Sequence, residues 1–119
     1  MRKLIVIVVL GLLVSGPAAL AKERNLTMLG APTAPKAGQA WNATISVKMD
    51  GKLATGRAPT VRIVSPAGRA INVASRATLR DGIYRASVVF PAAGMWRVIV
   101  VDNETGRAYE FARMKVRAT

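Results

Sequence analysis

The sequence contains neither cysteine nor histidine. Without cysteine, the chain can form no disulfide and can carry no lipid on a lipoprotein cysteine. Without both residues, it cannot assemble a Ser-His-Asp or Cys-His nucleophilic site or the usual zinc sites. The sequence therefore predicts no metal site and no cofactor.

Carboxylates are also scarce. A site with two paired carboxylates could only be drawn from six residues: Glu23, Asp50, Asp81, Asp102, Glu104 and Glu110. The three aspartates after residue 23 all lie in turn sequences, where an Asp side chain caps the local backbone. We therefore predict no catalytic residues and interpret the protein as a non-enzyme.

The N-terminal residues 1–21, "MRKLIVIVVLGLLVSGPAALA", have the build of a secretory signal. Two basic residues precede an apolar run, and Gly16-Pro17 precede the small residues that end at Ala21. We predict cleavage after Ala21, an exported protein of the periplasm or cell envelope, and one domain over residues 22–119. The alternative is an uncleaved membrane anchor, because residues 4–21 carry no charge and approach the roughly 20 residues of a spanning helix.

Positive charge is in excess. The chain has 18 Lys and Arg against 6 Asp and Glu, for a net charge of +12. Loss of Arg2 and Lys3 with the signal leaves 16 against 6, or +10. A field of this size attracts anionic surfaces. Nucleic acid is the usual polyanion, but an exported protein without an RNA-binding aromatic pattern fits anionic lipid, cell-wall polymer or an acidic patch on a membrane protein better.

Apolar and polar residues alternate through most of residues 22–119, which is typical of strands with one buried face. Seven short strands are predicted, in the segments "NLTML", "WNATISVKM", "PTVRIVS", "AINVAS", "YRASVVF", "WRVIVV" and "AYEFARMKV". Residues 30–39 form an extended connector between the first two strands, and a bulge or sheet switch is expected near Ala112-Arg113. Short strands at this spacing predict an all-β fold, an immunoglobulin-like antiparallel β-sandwich of about seven strands.

Strand parity assigns side chains to the inside or the outside. The predicted structural core contains Trp41, Tyr84, Phe90, Trp96, Tyr109 and Phe111. For Trp96 the alternative is an exposed aromatic that stacks on carbohydrate or peptide. The candidate basic surface comprises Arg62, Arg97 and Arg113 on the outer face of one sheet, with Lys48 and Arg85 on the other. The alternative for each of these residues is a solvated outward position in which the stem of the side chain covers apolar surface.

Three segments resemble the YtkA-like and FixH-like small bacterial envelope domains: "AGQAWNATISVKMDG", "PTVRIVSPAG" and "GIYRASVVFPAAGMWRVIV". The resemblance covers about residues 31–112. It implies an immunoglobulin-like accessory domain, associated in some members with copper handling or oxidase assembly. Copper modules generally use His, Met or Cys ligands, however, and the methionines after the signal are scattered among different predicted strands: Met28, Met49, Met95 and Met114. We interpret them as core or rim residues.

The sequence thus favours a non-catalytic exported binding or assembly module of the bacterial envelope. Its expected partner is an envelope or membrane protein, with no nucleic acid and no small-molecule substrate. Two alternatives remain open. One is a basic surface protein that binds anionic lipid or cell-wall polymer, and the other is an accessory protein in copper handling or oxidase assembly.

Overall fold

The computed structural model describes residues 24–119, and the predicted signal peptide lies outside them. These residues contain nine strands and no helix. In chain order the strands are β1 (Arg24–Leu29), β2 (Ala40–Met49), β3 (Lys52–Leu53), β4 (Thr60–Val64), β5 (Ala70–Ala74), β6 (Arg76–Ala77), β7 (Ile83–Val89), β8 (Gly94–Val101) and β9 (Ala108–Val116). The seven longer strands occupy the seven predicted segments. The two-residue strands β3 and β6 were not predicted.

The strands form two antiparallel sheets. The first has the order β1-β2-β7-β6, with β3 also paired to β2, and the second has the order β5-β4-β8-β9. Counted from the N-terminus with β3 left aside, these are the A-B-E-D and C′-C-F-G orders of immunoglobulin-like sandwiches. The predicted all-β antiparallel sandwich is therefore confirmed.

The core lies between the two sheets and follows the predicted alternation. Inward side chains of β2, β4 and β8 that are almost fully buried include Ala43, Ile45, Val47, Val61, Ile63, Val98 and Val100. Burial of a Val or Ile side chain contributes about 1.5–3 kcal/mol relative to exposure. A continuous layer of such residues accounts for a fold that needs no disulfide.

The connector of residues 30–39 is more ordered than predicted. Lys36 forms a parallel bridge with Arg117, just beyond β9. The Ala37 N–H donates to the Arg117 carbonyl at 2.8 Å, and the Arg117 N–H donates to the Pro35 carbonyl at 2.9 Å. The chain thus leaves the first sheet after β1, pairs with the edge of the second sheet, and returns to the first sheet as β2. This pairing covers the end of an otherwise free edge strand.

A second crossing between the sheets occurs at Ser75, between β5 and β6. The Ser75 side chain is buried, and its hydroxyl donates to the Pro59 carbonyl at 2.6 Å. The strand that pairs with β4 through residue 74 therefore pairs with β7 from residue 76. This switch places Arg76 on the first sheet, at its β6 edge.

A bulge interrupts β9 next to the position expected from sequence. Val98 pairs with Ala112 and Ile99 pairs with Glu110, so Phe111 is the extra residue. The prediction that Phe111 belongs to the core is wrong, because its position in the bulge leaves it 36% exposed. Simple alternation places Phe111 and Tyr109 on one face. The extra residue in the bulge interrupts this alternation at Phe111.

Candidate functional site

The structure places the five predicted basic residues on both sheets. Arg62, Arg97 and Arg113 lie on strands β4, β8 and β9 of the second sheet, while Lys48 and Arg85 lie on β2 and β7 of the first. They therefore do not form one continuous cluster. Their surroundings differ between the two sheets, and this difference identifies the candidate site.

On the second sheet, the arginines have side-chain partners. Arg97 donates to the Glu110 carboxylate from two nitrogens, at 3.0 and 2.7 Å. Arg113 approaches the other Glu110 oxygen at 3.6 Å. Arg62 donates from Nε to the Asn72 amide oxygen at 2.8 Å. The hydrogen bond from Arg97 is the main reason that the pKa of Glu110 lies below its ordinary value. These contacts partly neutralise this face.

The first sheet carries positive charge without a carboxylate. None of its strands β1, β2, β3, β6 and β7 contains Asp or Glu, whereas they contain Arg24, Lys48, Lys52, Arg76 and Arg85. Its outward positions are mostly small polar residues, such as Thr27, Asn42, Thr44 and Ser87. We call this outward surface of β1, β2, β6 and β7 the first-sheet face. Arg24 is neutralised by a buried ion pair with Asp102, whereas the other four basic residues form no ion pair within residues 24–119. Asp50 and Asp81 lie in the turns that adjoin this sheet.

Arg76 and Arg85 lie side by side at the β6 edge of the first-sheet face. They are direct cross-strand partners in the pairing of β6 with β7, and both are exposed. Within the described residues 24–119 neither forms an ion pair. Like charges directly opposite each other in a sheet are destabilising, so an anion bound between them would relieve an existing repulsion.

Two open clefts flank this arginine pair. One, of about 470 Å³, has a mixed lining, in which Arg76, Arg85 and Asn42 lie beside small apolar residues such as Val73 and Ala77. The other, of about 370 Å³, is lined by Leu29, Leu79 and Ile83 together with two threonines, Arg80 and Arg85. Arg85 borders both clefts, so each of them combines apolar surface with this guanidinium group.

Sequence reasoning found Arg85 but missed Arg76. Arg76 belongs to a two-residue strand, which is too short to produce an alternating pattern. Ser75 ends the preceding predicted strand, and its sequence does not indicate that a further strand follows. Residue 76 pairs with residue 85 only because the chain crosses between the sheets at Ser75. No local sequence pattern predicts this crossing.

A different arginine is buried in a structural ion pair. The Arg24 Nε and Nη2 atoms donate to the two Asp102 carboxylate oxygens at 2.9 and 3.1 Å. Only 9% of the Arg24 side chain and 1% of that of Asp102 are exposed. The Glu104 N–H and the Thr105 hydroxyl also donate to Asp102, at 2.9 and 3.1 Å. This pair joins the start of β1 to the turn between β8 and β9.

Burial alone would raise the pKa of the Asp102 carboxyl, but the hydrogen bonds from Arg24 and from the Glu104 backbone outweigh it and lower that pKa. The hydrogen bond to Asp102 likewise raises the pKa of Arg24. Both groups are therefore charged at neutral pH. Because Asp102 already receives four hydrogen bonds, we assign this pair to structure rather than to ligand binding.

Most of the predicted core aromatics occupy the core. Tyr84, Phe90 and Trp96 are buried, and Trp41 packs against the same cluster while half-buried. The Phe90 ring stacks on Trp41 with centroids 6.2 Å apart and contacts Trp96 edge-on at 5.7 Å. The Trp96 Nε1–H donates to the Ala92 carbonyl at 2.9 Å. A buried, hydrogen-bonded Trp96 is not available to stack on carbohydrate or peptide.

Tyr109 is half-buried at the core margin, and its hydroxyl donates to the Arg24 carbonyl at 3.4 Å. The Arg107 guanidinium lies 5.8 Å from the centroid of its ring. Tyr109 therefore links β9 to the start of β1. Tyr109 is thus an edge residue rather than a central core residue.

The four methionines among the described residues differ in their exposure. Met28 and Met114 are buried in the apolar core, whereas Met95 is half exposed on β8. Met49 is half-buried at the end of β2. Among residues 24–119 no three His, Cys, Asp or Glu side chains are grouped as metal ligands would be.

No protein-family model matches the chain, and a search of curated proteins found no match either. The resemblance to YtkA-like and FixH-like domains therefore stays a prediction. In the part of the chain that the structure describes, no helix is long and apolar enough to cross a membrane. The fold and site together define a β-sandwich of immunoglobulin strand order with a carboxylate-free basic face on one sheet.

Proposed function

We propose that this protein is a non-catalytic, exported binding or assembly module of the bacterial envelope, and that it docks on an anionic surface through the first-sheet face. The observation that carries the proposal is the unopposed pair of Arg76 and Arg85 on a sheet whose strands contain no carboxylate. Export is inferred from the signal-like residues 1–21.

Charge distribution favours this face over the other. A guanidinium that already donates to a carboxylate, as Arg97 does to Glu110, must give up or share that bond to bind another anion. Arg76 and Arg85 have no such bond to lose within residues 24–119. Guanidinium groups bind phosphate and carboxylate through two parallel hydrogen bonds, so two adjacent arginines suit a surface on which anionic groups repeat.

The shape of the face favours a broad partner over a small molecule. The outward positions of the strands are mostly small polar residues, and the two clefts beside Arg85 are open to solvent. Small-molecule sites are usually concave and bury most of the ligand. An extended anionic surface can instead contact both arginines and Lys48 together.

The experiment compares two double variants with equal loss of charge. Arg76→Gln/Arg85→Gln removes two positive charges from the first-sheet face, and Arg62→Gln/Arg97→Gln removes two from the second sheet. Each full-length variant is expressed with a small tag, and its distribution between the soluble and the sedimented envelope fractions is measured at 0.15 M salt. Because screening at this salt is strong beyond about 8 Å, a direct contact is needed for an effect to survive.

We expect the first variant to leave the envelope fraction and the second to stay. Equal losses from the two variants would show that net charge, and not the first-sheet face, determines binding, and would refute the proposal. Thermal unfolding of both variants provides the folding control. Removal of the like-charge pair should leave the first variant at least as stable as the wild type.

A further inference from the structure

We infer that the first-sheet face docks on an anionic phospholipid bilayer and that Leu79 inserts into the interfacial region of that bilayer. The inference deepens the proposed function and rests on it. It starts from the turn between β6 and β7, where Leu79 is fully exposed, more so than any other large apolar residue in the part of the chain that the structure describes.

The exposure of Leu79 is built into an ordered turn. The Thr78 hydroxyl accepts from the Arg80 N–H at 3.2 Å and donates to the Ile83 carbonyl at 2.9 Å. The backbone adds bonds from the Thr78 N–H to the Ile83 carbonyl, at 3.1 Å, and from the Ile83 N–H to the Arg80 carbonyl, at 3.2 Å. Four hydrogen bonds thus fix the turn on both sides of Leu79. Its side chain is presented to solvent by a defined loop conformation.

Further apolar surface lies beside Leu79. The cleft of about 370 Å³ is lined by Leu79, Leu29 and Ile83 together with Thr44, Thr78 and two arginines, Arg80 and Arg85. Leu29, at the end of β1, is itself 49% exposed. This end of the sheet therefore combines apolar residues, which favour an apolar medium, with arginines, which favour anions.

A bilayer interface satisfies both preferences at once. Its phosphate groups bind arginine, and its acyl boundary accepts an apolar side chain a few ångströms deeper. Each basic residue close to an anionic leaflet strengthens binding by about fivefold. A polysaccharide or teichoic polymer offers the anions alone, and it provides no apolar medium for Leu79.

The absence of cysteine permits a local test. A single cysteine is introduced as Leu79→Cys and labelled with an environment-sensitive nitrobenzoxadiazole dye. The matched control is Met95→Cys, because Met95 is also an exposed apolar residue, 50% exposed, but lies on β8 of the second sheet. Each labelled full chain is titrated with phosphatidylglycerol/phosphatidylcholine vesicles and with pure phosphatidylcholine vesicles. The readout is local, so a contribution of residues 1–23 to attachment does not produce the signal at residue 79.

We expect the dye at residue 79 to shift to the blue and brighten with phosphatidylglycerol vesicles, and to stay unchanged with phosphatidylcholine alone. The dye at residue 95 should not respond to either. Adding Arg76→Gln/Arg85→Gln to the residue-79 protein should raise the lipid concentration at half-saturation by about thirtyfold, the effect of two charges.

An unchanged dye at residue 79, or equal responses at residues 79 and 95, would overturn the bilayer inference. In that case, if the Arg76→Gln/Arg85→Gln variant is lost from the envelope fraction and the Arg62→Gln/Arg97→Gln variant is not, the proposed function stands. The partner is then a wall polymer or an acidic protein. If the two double variants fractionated alike, the proposed function itself would fail. The two failures are thus distinguishable.

Discussion

Replacing Asp102 by Asn should destabilise the domain severely. The change keeps the size of the side chain but removes the charge that balances the guanidinium of Arg24, which is only 9% exposed. Removing one partner of a buried ion pair costs about 3–5 kcal/mol, because the other charge stays buried without compensation. The amide nitrogen of Asn also cannot accept from Arg24, the Glu104 N–H or the Thr105 hydroxyl, which together fill both carboxylate oxygens of Asp102.

The assays are chemical and thermal denaturation followed by tryptophan fluorescence, since Trp96 lies in the core. For a domain of this size, about 3 kcal/mol corresponds to a loss of roughly 12–24 °C in the thermal midpoint. The matched control is Glu110→Gln, which breaks a pair whose side chains are about 40% exposed and should cost far less, because solvent screens an exposed ion pair. The reasoning is refuted if Asp102→Asn costs as little as Glu110→Gln. If Asp102→Asn cannot be isolated folded, Arg24→Met gives the second measurement.

The same pair predicts the pH dependence of stability. The Asp102 pKa is lower in the folded protein than in the unfolded chain, so the unfolded state binds more protons as the pH falls. Its contribution is therefore fully present above about pH 5 and is lost as the pH falls through the ordinary Asp pKa toward the folded one. Wild-type stability should fall steeply in acid. A wild-type protein with constant stability from pH 6 to pH 3 would contradict the assignment.

Two matched pairs test the packing. Phe90→Ala should cost about 3–5 kcal/mol of stability because Phe90 is fully buried. Phe111→Ala, in the bulge, should cost less than about 1 kcal/mol. Equal costs of the two variants in denaturant titration would show that Phe111 belongs to the core. Gly82→Ala should cost about 1–3 kcal/mol more stability than Gly51→Ala. Both glycines have φ of +79°, so the backbone strain is shared. Only at Gly82 would an added Cβ lie 2.9 Å from Leu53 Cβ and from Ala54 N. Similar thermal midpoints for the two glycine variants would contradict the close approach.

The alternation in the sequence predicted the seven longer strands and their inward residues because each strand has one buried face. It failed where the chain departs from alternation over one or two residues. Phe111 was assigned to the core because the bulge lies one residue earlier than expected. Strands β3 and β6 have two residues each and carry no periodicity.

The candidate site could be predicted only in part. Arg85 was found because it alternates with Tyr84 and Ala86, which are buried. Its pairing with Arg76 and the neutralisation of Arg97 by Glu110 are cross-strand contacts, and they depend on register rather than on local pattern. Likewise, Asp102 was recognised as a turn residue, but its partner Arg24 lies 78 positions away. The local sequence pattern predicts neither the cross-strand contacts nor this buried ion pair.

Photo-crosslinking in living cells tests the central claim most directly. A photoreactive amino acid replaces Ser87 on the first-sheet face or Met95 on the second sheet, both of which are exposed. Adducts to protein and to lipid are then identified by mass spectrometry. We predict adducts from residue 87 that disappear when Arg76→Gln/Arg85→Gln is added, and none from residue 95. Adducts from residue 95 alone, or adducts from residue 87 that do not depend on the two arginines, would contradict the account.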